Sequence, residues 1–164
     1  MFQEKIHIGN LGADLVYEPN PLSKRLAALT HLQDIATTEP PTYDTVRSIK
    51  SLSAGLYSES PLVKQKCVTA LGQSRFPAVV PILQEQLADK KNDVGSRVEA
   101  AKGLALLRYP GQEVQTTVEL LTVRYDDDEE QFLKDAAEVA AARMGWELKG
   151  EETAKDEYVI SSCL

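Results

Sequence analysis

Ala70-Leu71-Gly72-Gln73-Ser74-Arg75-Phe76-Pro77 is answered 33 residues later by Gly103-Leu104-Ala105-Leu106-Leu107-Arg108-Tyr109-Pro110. A small–Leu–small triplet and an Arg–aromatic–Pro ending return after one fixed interval. Self-similarity at a period of about 20–50 residues marks stacked repeat units rather than a closed globular core. The small residues let neighbouring helices approach, and the leucine fills the space between them.

Outward from this repeat the chain alternates helix and break. Asn20-Pro21 reads as an N-cap with proline at the first helical position, followed by Leu22, Leu26, Leu29, Leu32 and Ile35 at helical steps. Pro40-Pro41 breaks that helix, Thr42 or Asp44 restarts one, and Val46, Ile49, Ser53 and Leu56 supply its buried stripe. Ser60-Pro61 opens the next helix, with Val63, Cys67, Ala70 and Leu71 inside. Val80, Leu83 and Leu87 carry a shorter one in which Pro81 falls in the first turn, and Asn92 or Asp93 caps its successor. Val114, Val118 and Leu121 mark a further helix, and a last one, from about Asp128 to Met144, places Phe132, Ala136, Val139 and Ala140 inside. Phe76, Tyr109 and Trp146 are expected to close successive helices.

The fold expected is therefore all-α: a right-handed α-solenoid of about four helix pairs. Residues 1–19 read as an N-terminal cap segment, 20–146 as the repeat domain, and 147–164 as a flexible acidic tail. A net charge of −7 disfavours nucleic acid as a partner. No apolar run approaches the ~20 residues that cross a bilayer, so membrane insertion is not expected. Two cysteines, Cys67 and Cys163, provide no disulfide framework, and the N-terminus lacks the features of a secretory signal. A cytoplasmic setting follows as the expectation.

Val63-Lys64-Gln65-Lys66-Cys67-Val68-Thr69-Ala70-Leu71-Gly72 and Arg97-Val98-Glu99-Ala100-Ala101-Lys102-Gly103-Leu104-Ala105 resemble the HEAT-like repeats of the phycobilisome-lyase family. The resemblance covers about residues 20–146 and is strongest over 60–124. It implies an alternative function: a phycobilin lyase-type subunit, or a factor in phycobilisome assembly or degradation, with a phycobiliprotein as partner. The Asn-His-Cys-Cys and Tyr-His-Gly-Asp motifs of some lyases are not in this sequence.

The residues alone point to no catalytic group, metal site or cofactor. His7 and His31 have no ligand-spaced companions, and Cys67 sits on an apolar helical face. Asp126-Asp127-Asp128-Glu129-Glu130 lacks the alternating ligands and turn glycine of a calcium loop and suits a helix start. The leading expectation is a non-catalytic protein-binding scaffold, adaptor or assembly chaperone whose partner is another protein. Its binding surface would be the polar side of the inner helices: Arg47, Lys50 and Ala54, then Gln84 and Ala88, then Gln115, Glu119 and Thr122.

Overall fold

The computed structural model describes residues 7–107, 131 and 133–142. Six helices follow in order: α1 (Ile8–Val16), α2 (Leu22–Ala36), α3 (Tyr43–Ala54), α4 (Pro61–Gln73), α5 (Val80–Ala88) and α6 (Val94–Leu106). A seventh, α7, covers 133–142. There is no strand among the described residues. The helices pair as α1/α2, α3/α4 and α5/α6, and successive pairs stack to place α2, α4 and α6 in one row. The all-α solenoid expected from the period is the fold observed. The apolar core runs continuously through the stack, and Leu71 on α4 and Leu104 on α6 are both fully buried where these helices pack.

Local chemistry sets the helix starts. Thr42 caps α3 by accepting from the Thr45 backbone N–H, while the Thr45 hydroxyl accepts from the Thr42 N–H. Ser60 caps α4 ahead of Pro61, and Asp93 caps α6 by accepting from the Ser96 N–H at 2.9 Å. At α2 the expectation shifts by one residue. Pro21 itself is the cap, and the Asn20 amide donates instead to the Asp14 carbonyl at the end of α1. Helix α4 stops where Arg75 turns into the left-handed region, φ 53°.

Two expected stripes hold in part: Ile49, Leu56 and Ala140 are buried as expected, while other positions differ. On α3, Thr45, Ser48, Ile49 and Leu52 are buried while Val46 is exposed. On α7, Leu133, Ala137 and Ala140 are buried and Val139 faces outward. Packing on two neighbours at once, α1 and α2 for α3, turns the buried face toward small polar residues that hydropathy does not mark. The segment before residue 19 contains α1, which packs on both α2 and α3 and buries Ile8 and Leu15. The closing roles of Tyr109 and Trp146, the helix near Val114, the acidic run 126–130 and the tail lie outside the described residues.

One polar device recurs in this apolar stack. Arg25, in the first turn of α2, is buried and donates through Nε to the Leu15 carbonyl at 2.8 Å. Arg97, at the same place in α6, is buried and donates through Nε to the Leu87 carbonyl at 3.2 Å. Each arginine reaches back ten residues to the end of the preceding helix, where carbonyls lack intrahelical partners. Arg25 also holds the Glu18 carboxylate with both terminal nitrogens and the Ser58 hydroxyl at 2.8 Å.

Candidate functional site

Two surfaces bring polar side chains together. The first is a cleft of ≈ 390 Å³ between α1 and α3, lined by Ile8, Gly9, Tyr43, Arg47, Lys50 and Ser51 among others. Arg47 lies 5.9 Å over the Tyr43 ring and 3.8 Å from the Asp44 carboxylate. A β-carbon on Gly9 would meet the Arg47 guanidinium at 4.0 Å, ordinary contact, so the arginine lies along the α1 backbone. Arg47 and Lys50, both exposed and one helical turn apart, thus share a cleft. Gln84 stands half-buried on α5, which makes no comparable contact with α3. Gln115 and Glu119 lie outside the described residues, as does Thr122.

The second surface is the seam along α2, α4 and α6. Gln33 and Gln73 exchange an amide hydrogen bond from α2 to α4. From α4, the Thr69 hydroxyl donates to Glu99 on α6 at 3.0 Å, and Lys102 donates to the other Glu99 oxygen at 2.9 Å. Gln65 lies over Gly95, where an added β-carbon would meet its carboxamide at 3.1 Å. Glu99 is therefore a half-buried carboxylate whose two oxygens are both engaged. The sequence reading passed over this seam because its members are thirty to forty residues apart and become neighbours only through stacking.

Charge and burial decide what these groups can do. Lys24 donates to Asp14 at 2.8 Å and holds that carboxyl below its ordinary pKa. Arg25 does the same to Glu18, helped by the Glu59 backbone N–H, which donates to it at 3.0 Å. Burial pushes the Cys67 thiol up to about 12, despite the opposing charge of Arg25, so Cys67 is a core residue and not a nucleophile at neutral pH. Both histidines are exposed, His7 ahead of α1 and His31 midway along α2. Among the described residues, no three His, Cys, Asp or Glu side chains come close enough to hold a metal ion. None of the described helices is long and apolar enough to cross a membrane.

Stacked helix pairs of this kind define a repeat protein, and the HEAT repeats family model matches residues 49–142. The chain belongs to the HEAT-repeat family. Its curated relatives include a deoxyhypusine hydroxylase of Aspergillus oryzae, 36% identical over 134 residues that make up 81% of this chain and 38% of the relative. One from Aspergillus fumigatus is 34% identical over 149 residues, 90% of this chain and 42% of the relative. The structure of human deoxyhypusine hydroxylase in complex with glycerol superposes with a TM-score of 0.71 at 24% identity, over 88% of this chain and 45% of that one. That likeness carries the fold. The chain spans about two fifths of the length of these curated relatives.

These relatives correct three expectations. The chain's similarity is to hydroxylases, not to phycobilisome lyases, so the lyase-type subunit and the phycobilisome factor fall away. The non-catalytic scaffold, adaptor or chaperone is overturned by the same finding, and so is the ranking that put a non-enzyme ahead of an enzyme and allowed an enzyme only as a bilin lyase-type subunit. The reason is physical. Small–Leu–small encodes the close approach of stacked helices, a requirement that repeat families of different chemistry share.

Proposed function

We propose that this chain is a repeat lobe of a deoxyhypusine hydroxylase-type enzyme and that it helps to bind the protein carrying the modified lysine. The observation that supports this is similarity at 34–36% identity spread over 81–90% of the chain, well beyond a single repeat. Deoxyhypusine is a lysine whose amine bears an aminobutyl arm, cationic at neutral pH by analogy with lysine itself. A net charge of −7 favours the approach of such a substrate. Arg47 and Lys50, in their shared cleft, are candidate contacts to acidic residues of the substrate protein rather than to the modified lysine. We place this activity in the cytoplasm, where the free thiol of Cys67 would stay reduced.

Binding of a fluorescent deoxyhypusine-bearing peptide, measured by anisotropy against the same peptide with unmodified lysine, tests the reading. Tighter capture of the modified peptide is expected. Equal capture of both peptides, or of neither, would remove the proposal.

A further inference from the structure

Resting on that reading, we infer that the described residues of this chain do not by themselves hold the oxygen-activating centre required for deoxyhypusine hydroxylation, and that its donors come from outside them. Hydroxylating a C–H bond calls for activated oxygen, which proteins obtain from a metal or an organic redox cofactor. A non-haem ferrous site typically takes two imidazoles and a carboxylate on one face. The residues present do not fit such a group.

The whole sequence contains two histidines, His7 and His31; they stand on separate elements, exposed, and among the described residues neither belongs to a group of three or more His, Cys, Asp or Glu side chains that could hold a metal ion. Helix α4 has no histidine, aspartate or glutamate, and α6 has one such residue, Glu99. Glu99 already pairs with Lys102 through one oxygen and lies within hydrogen-bond distance of the Thr69 hydroxyl through the other, and on this row it would offer a metal a single carboxylate ligand. Cys67, the one thiol on this row, is buried and stays protonated at neutral pH. The surrounding charge also opposes a dication. Helices α2, α4 and α6 carry Lys24, Arg25, Lys64, Lys66, Arg97 and Lys102 against two carboxylates, Asp34 and Glu99. Lys24 and Arg25 are paired with Asp14 and Glu18, and Arg97 is buried, where charge is poorly screened.

The test uses the full natural chain. Metal-free protein is incubated anaerobically with ferrous iron and desalted. Bound iron is then counted by plasma mass spectrometry, and the melting temperature is compared with and without the metal. Iron at background and an unchanged melting temperature are expected, because a ligand bound to the folded state would raise it. Stoichiometric iron that survives desalting and raises the melting temperature would overturn the inference. The peptide-capture assay on the same iron-free preparation separates the two ideas. Capture without iron supports both. No capture and no iron removes the proposed function while the donor argument stands.

Discussion

Gly72 and Gly103 touch backbone to backbone: a β-carbon built on Gly72 would lie 2.8 Å from the Gly103 Cα, and one on Gly103 would lie 3.1 Å from the Gly72 Cα. The 33-residue period pairs Gly72 with Ala105 and Ala70 with Gly103, yet the helices cross with the two glycines face to face. This crossing gives α4 and α6 their extensive contact and brings Thr69 within reach of Glu99. Replacing Gly72 by Ala must push the helices apart, because the obstructing atom belongs to the backbone. Overpacking of this kind costs ~1–3 kcal/mol. Urea unfolding of Gly72→Ala is expected to show that loss, and wild-type stability would mean that the crossing is looser than the structure shows.

Leu104 is fully buried and Leu106, two residues on, is 39% exposed. Leu104→Ala should cost about 2–5 kcal/mol as a core truncation, whereas Leu106→Ala should fall within about 0.5 kcal/mol of wild type, like most surface changes. Comparable losses at the two positions would contradict the register of α6.

Arg25 serves the joint between α1 and α2. Arg25→Met leaves the Leu15 carbonyl without its donor, a buried acceptor worth about 1–3 kcal/mol. It also raises the Glu18 titration toward its ordinary range, observable by NMR, with the Glu59 N–H still donating to it. A normal Glu18 titration in the wild type would show that the contact is absent in solution.

The acid limb of stability follows from the same groups. Asp14 and Glu18 have folded pKa values below their ordinary values of 3.8 and 4.5. Their stabilisation is present above those ordinary values and is lost as pH falls through the lowered ones, because the unfolded chain binds protons first. The double variant Asp14→Asn, Glu18→Gln is expected to flatten the melting-temperature curve below about pH 4.5. An unchanged acid slope would assign acid sensitivity to other carboxylates.

Cys67 sets an alkaline limit. An unfolded thiol ionises near 9.0 while the folded one holds its proton to about 12, so stability contributed by this group declines as pH rises past the lower value. At neutral pH, thiol reagents should modify Cys67 only at the rate of unfolding. Rapid labelling of Cys67 in a peptide map would place it at the surface.

The period, the proline and serine breaks, and the small–Leu–small triplets determined the all-α repeat architecture, because helix periodicity, capping and close helix approach are local and written in adjacent residues. The same triplets were silent on family, since every stack of helices needs them, and so the phycobilisome-lyase resemblance identified the repeat and mistook the chemistry. Tertiary structure alone decided that Gly72 meets Gly103, that Arg25 and Arg97 repeat one buried contact to a preceding helix, and that α1 belongs to the first pair. It also drew Thr69, Glu99 and Lys102 into one cluster. These relations join residues on different helices, and their geometry is set by crossing angle and stagger, which no single helix encodes.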